Sequence, residues 1–153
     1  MNQFDNNWSF ISEGDLTPEG FFFAGISAGL KNSKKKDLAL ILAPEGSICS
    51  GKFTQSIARA SCVEICEQRI TRSAGRVRAI LINSGQANAC TGDLGTQHFL
   101  IATEKISELL GINKEEVLMC STGVIGVPIE INNLVKNLPI LVSELKVNSF
   151  QNA

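Results

Sequence analysis

Two short segments hold most of the chemistry this sequence offers. Ser121-Thr122-Gly123 sets a hydroxyl beside a glycine amide at the end of an apolar run, Val117 to Cys120. A hydroxyl and an unobstructed N–H at a strand end can aim two donors at one point, which is what stabilising a developing oxyanion requires. An ordinary strand-to-helix turn is the simpler explanation of the same three residues. The second segment is Asn83–Gly95, NSGQANACTGDLG, after the apolar stretch Val77–Ile82. Small residues there let a ligand approach the backbone, and a helix starting beyond them would present free N–H groups to an anion. The loop has neither G-x-x-x-x-G-K-[ST] nor G-x-G-x-x-G, so nothing marks it as a nucleotide-phosphate cradle. A tight strand-to-helix connection is the simpler explanation of it.

The isolated candidates are weaker. His98 is the sole histidine and the only base available to a Ser–His–Asp arrangement. Its place beside Phe99 on a polar first turn reads as a solvated or partly satisfied helix residue. Cys62 and Cys66, four apart, share one helix face. With no CxxC partner and no histidine pair they read as buried small thiols, and no metal site is expected. Cys90 and Cys120 each adjoin a candidate loop but have no evident neighbouring base. Lys34–Lys36 reads as a solvated turn.

The elements that must position these groups follow from periodicity. Phe21–Leu30 reads as a strand, because Gly25 and Gly29 would each cost a helix about 1 kcal/mol. Leu38–Leu42 is a short buried strand, and Pro44-Glu45-Gly46 turns it toward Ile48–Phe53, giving an expected hairpin over 38–53. Ser61 and Glu64 form the S-x-x-E of a capping box. Val63, Cys66 and Ile70 continue that helix. Val77–Ile82 is the clearest strand. A helix over 96–110 buries Phe99, Ala102, Ile106, Leu109 and Leu110, and Gly111 is its C-terminal cap. Pro128 suits the first turn of another helix, with Ile131, Leu134, Val135 and Leu138 inward. Pro139 is expected to break it and start a further one. Strands alternating with helices predict an α/β domain, a sheet covered by helices. The polar residues 1–18 read as a leader, and 19–153 as one domain.

Composition narrows the function classes. A formal net charge of −1 gives no electrostatic case for nucleic acid or an anionic membrane, and a chain without tyrosine has few stacking platforms. No window reaches the ~18 apolar residues needed to span a bilayer. Five cysteines without framework spacing predict reduced thiols and a cytoplasmic setting.

Taken together, four segments resemble the ornithine acetyltransferase (glutamate N-acetyltransferase) family of arginine biosynthesis. They are Gly20–Lys31 with Asp37–Ile41, Gly51–Thr54, Arg78–Gly92, and Glu116–Leu118 followed by Ser121–Gly126, in the family's order. Gln86, where the family usually has Asn, and Thr54-Gln55-Ser56 depart from the pattern. The resemblance implies the N-terminal part of an N-terminal-nucleophile-type α/β sandwich. It implies a precursor that cuts itself before a threonine, the nucleophile of a beta chain. Acetyl then passes from N-acetylornithine to glutamate in an assembly of two alpha and two beta chains. Some members also use acetyl-CoA, here a substrate and not a resident cofactor. Thr122 and Gly123 match the family's oxyanion-hole pair. The nucleophile and further substrate-binding residues are expected beyond Ala153, since no threonine present has the right context. The alternative is a non-catalytic module that binds a small carboxylate or a partner protein, or an inactive fragment.

Overall fold

The computed structural model describes residues 17–147 and 149–153. Four strands form one sheet in the order β1 (Phe22–Ile26), β2 (Leu38–Leu42), β3 (Ala79–Gln86) and β4 (Val117–Val124). The β1–β2 and β2–β3 pairs are antiparallel, and β4 lies parallel to β3. Antiparallel neighbours can be joined by short connections, but a parallel pair needs a crossover. The crossover is α2 (Gly92–Leu110), while α1 (Ser61–Arg72) and α3 (Ile131–Ser143) complete the helix set.

Alternation along the strands explains where the core lies. Leu38, Leu40, Ala79, Leu81, Val117 and Met119 are all buried, in one cluster with Cys62 and Cys66 of α1, Phe99, Ala102 and Ile106 of α2, and Leu134, Leu138 and Leu141 of α3. The intervening residues Ala39, Ile41, Ile80 and Ile82 are only half-buried. A sheet covered by helices, as expected from the sequence, is therefore present, with the three helices packed on one face.

Arg69 ties the helix layer to the sheet. It is 2% exposed, its Nη1 donates to the Val117 carbonyl at 2.6 Å, and its guanidinium lies 4.9 Å from the Phe99 ring centroid. Burial lowers its pKa from the ordinary arginine value, with Glu115 the first of the charges that oppose this.

Several expectations need correction. Residues 48–53 form no strand. Ile48 makes only an isolated bridge to Arg76, and β2 pairs with β1 and β3 instead. Turn chemistry at Pro44–Gly46 was a local signal, and the longer-range ladders won. The capping box does not close: α1 begins at Ser61 itself, Ala60 is the N-cap, and no side chain caps it. Pro139 does not divide a helix but sits inside α3. It is exposed there, so the carbonyl it leaves unpaired can be hydrated. Pro128 precedes α3 and is not in its first turn. β1 is shorter than the expected strand, and α2 begins at Gly92, four residues early. Gly111 does take the left-handed conformation (φ 66°) at the end of α2. The leader assigned to residues 1–18 lies outside the described residues except for Thr17 and Pro18.

Candidate functional site

β3 and β4 both run past the points where the apolar runs end. Asn83–Gln86 belongs to β3, and Ser121-Thr122-Gly123 to β4, so both candidate segments begin as strand and not as turn. The ladder pairs Asn83 with Ser121, Ser84 with Thr122, Gly85 with Gly123 and Gln86 with Val124. The fold thus brings the two segments together at one end of the sheet. Thr122 and Gly123 are exposed, and no described residue engages the Thr122 hydroxyl.

Two glycines make this close approach feasible. Gly85 (φ 134°) and Gly123 (φ 131°) both take backbone conformations that L side chains rarely adopt. A Cβ on Gly123 would fall 2.3 Å from the Gly85 carbonyl carbon and oxygen, and one on Gly85 would fall 2.8 Å from the Leu30 carbonyl oxygen and 3.1 Å from Lys31 Cγ.

The third layer is the connection between β1 and β2. Asp37, 3% exposed, accepts from the backbone N–H groups of Ala28 at 2.6 Å, Leu30 at 2.8 Å and Lys31 at 3.0 Å. Three amides on one carboxylate fix the loop. Its Leu30 carbonyl accepts from Gln86 Nε2 at 2.9 Å, and Lys31 Nζ donates to Ser84 Oγ at 3.1 Å. Sequence reading missed Asp37 and Lys31. The available signal was a carboxylate standing directly before a buried apolar strand, where it must find donors.

Beside this end of the sheet a cleft of about 480 Å³ opens between Gly29, Leu30, Lys31 and Asn32, Gly85 and Gln86, Val124, and Glu130 with Asn133. Thr122 and Gly123 flank it without lining it. Gln86 is 8% exposed, and its Oε1 has no hydrogen-bond partner among the described residues.

The rest of the long loop is braced internally. Asn88, fully buried and at φ 51°, donates from Nδ2 to the Gly95 carbonyl at 3.0 Å. Thr91 Oγ1 donates to Asn88 Oδ1 at 3.2 Å. That half secures the start of α2.

His98 corrects its expectation in part. Of the two expected states, solvated or partly satisfied, the solvated one does not hold: the residue is buried (7% exposed), burial lowers its pKa, and Nδ1 has no partner among the described residues. Cys62 and Cys66 are buried thiols as expected, and Cys66 Sγ donates to the Met119 carbonyl at 3.4 Å. Burial pushes Cys66 up to about 11 and raises Cys62 and Cys120 as well. A raised thiol pKa disfavours the thiolate, although Cys120, like Cys90, is exposed. Among the described residues no cluster of three or more metal-ligating side chains occurs, and no helix is long and apolar enough to cross a membrane.

Comparison with known proteins fits this arrangement. The family model described as the ArgJ family matches residues 22–153. The arginine biosynthesis bifunctional protein ArgJ of Prochlorococcus marinus subsp. pastoris is 74% identical over 143 residues, covering 94% of this chain and 36% of the relative. That of Synechocystis sp. is 43% identical over 143 residues, covering 93% of this chain and 34% of the relative. The chain thus spans about a third of these relatives' length. Among solved structures, the ornithine acetyltransferase of Mycobacterium tuberculosis complexed with ornithine superposes with a TM-score of 0.82 at 33% identity, covering 89% of this chain and 74% of that one. The ArgJ protein of Bacillus halodurans gives a TM-score of 0.75 at 28% identity, covering 79% of this chain and 62% of that one. With the family model running from β1 to the last residue, the chain belongs to the ArgJ family.

Proposed function

We propose that the chain is the alpha-chain part of an acetyltransferase that moves acetyl from N-acetylornithine to glutamate. In this reading a beta chain of the same self-cleaved precursor supplies the threonine nucleophile. Its hydroxyl adds to the acetyl carbonyl, and the carbonyl oxygen becomes an oxyanion. The Thr122 hydroxyl and the Gly123 N–H donate to that oxygen. As the tetrahedral intermediate collapses, the proton of the threonine hydroxyl passes to the departing nitrogen, the bond to nitrogen breaks and ornithine is released. The glutamate amine then attacks the acyl-threonine through a second oxyanion at the same donors; the ester bond breaks, a proton of the amine returns to the threonine oxygen, and N-acetylglutamate leaves. Acetyl-CoA is an alternative donor at the first step. The five free thiols fit a reducing cytoplasm.

The observation that carries this reading is the placement of Thr122. Its hydroxyl is unengaged and adjoins a glycine amide at the exposed end of β4, in a chain of the ArgJ family. Donors kept free of internal partners need no reorganisation when charge appears.

The test uses a complete enzyme in which residues 1–153 replace the matching stretch of the Prochlorococcus relative. Mass spectrometry should find two polypeptides, the second beginning with threonine. Thr122→Ala should lower kcat by about 100- to 1000-fold with cleavage and assembly intact. Undiminished turnover in that variant would sink the oxyanion assignment.

A further inference from the structure

Lys31 is held through both its backbone and its side chain, and no part of the proposed reaction uses it. Its backbone N–H is held by Asp37 Oδ2 at 3.0 Å. Its stem lies over Gly85, so that a Cβ there would meet Lys31 Cγ at 3.1 Å. Its ammonium donates to Ser84 Oγ at 3.1 Å. Both contacts lie on the β3 residues that face the candidate donors: Gly85 pairs with Gly123, and Ser84 pairs with Thr122.

We propose that Lys31 is a positioning residue for the oxyanion donors, acting through Ser84 and Gly85. The inference rests on the oxyanion reading above. A lysine is a costly choice for bracing one serine, because its charge must stay partly hydrated. Lys31 is half-buried, which leaves the head a route to water while the stem packs. By occupying a lone pair of Ser84 Oγ, the ammonium fixes that hydroxyl next to Thr122 on the adjoining strand. A charge-assisted bond holds such a rotor more firmly than a neutral one. The fixed positive charge also sets a favourable potential for an anion forming at Thr122–Gly123. Asp37 completes the device. With three amides on one carboxylate, the loop bearing Lys31 cannot drift from the sheet.

A merely structural lysine would be replaceable by any side chain that packs. A positioning cation requires the charge. The decisive experiment is steady-state kinetics of the complete chimeric enzyme with Lys31→Met, Lys31→Arg and Thr122→Ala. Lys31→Met keeps the stem and removes the charge. It should lower kcat about 10-fold, with KM for both substrates within about twofold and an unchanged melting temperature. Lys31→Arg should recover most of the loss. Equal kcat in wild type, Met and Arg variants would overturn the proposal. So would a rise in KM at constant kcat, which would make Lys31 a substrate-holding residue. A loss in Thr122→Ala without one in Lys31→Met removes only the lysine. Normal turnover in Thr122→Ala removes the oxyanion reading and this inference with it.

Discussion

Gly123 pairs with Gly85 across the parallel β3–β4 ladder, so closely that the Gly85 carbonyl leaves no room for a side chain on Gly123. Gly123→Ala would place a methyl 2.3 Å from the Gly85 carbonyl, where backbone cannot yield cheaply. The variant should be destabilised by about 2–4 kcal/mol, from overpacking plus the unfavourable φ. Thermal unfolding of the complete enzyme reads this directly, and a melting temperature within a degree of wild type would contradict the packing described.

Asp37 should be a stability determinant of similar size. Asp37→Ala leaves two buried N–H groups, of Ala28 and Leu30, and the half-buried one of Lys31 without their acceptor, and a lost acceptor for a buried donor costs about 1–3 kcal/mol. Proteolysis under native conditions should then cut near residues 27–36. An intact loop in the variant would show that other acceptors suffice.

Arg69 separates packing from charge. Arg69→Ala loses the Val117 carbonyl bond and the Phe99 contact and opens a cavity, a loss of about 3–5 kcal/mol. Arg69→Met refills most of the volume, burying no charge, and should cost less than half as much. Equal losses in the two variants would assign the whole effect to the hydrogen bond.

The thiols give a pH signature. Cys66 is held at about 11 in the fold, against an ordinary 9.0. Above pH 9 the unfolded chain therefore loses a proton that the folded one keeps, so stability is full below pH 9 and falls as pH rises toward 11. Cys66→Ala should flatten that alkaline decline. In thiol labelling at neutral pH, exposed Cys90 should react before Cys62 and Cys66.

Much of the fold was legible because its signals are local. β2, β3 and the α2 stripe of Phe99, Ala102 and Ile106 follow from period alone, and Gly111 marks its own cap. The failures were places where distant partners decide. Ile48–Phe53 has the composition of a strand, but β2 already has neighbours on both sides. Ser61 and Glu64 have the spacing of a capping box, yet α1 incorporates Ser61 as its first residue. At the site, a motif resemblance singled out Thr122 and Gly123, whereas Lys31 and Asp37 acquire meaning only through ladder register. His98 is a helix residue as read, but its burial was not legible because polar neighbours in sequence say little about which face of a helix is covered.

The stacking of Lys31 on Gly85, and of Gly85 on Gly123, has a consequence for the order of folding. These residues are far apart along the chain, and β4 can join β3 only after α2 has crossed over. Long loop closures are settled late because their entropy must be met before their contacts form. The end of β4 that carries Thr122 and Gly123 thus depends on contacts with the greatest loop-closure cost in this sheet, so it is the place where a loss of long-range order would be felt first.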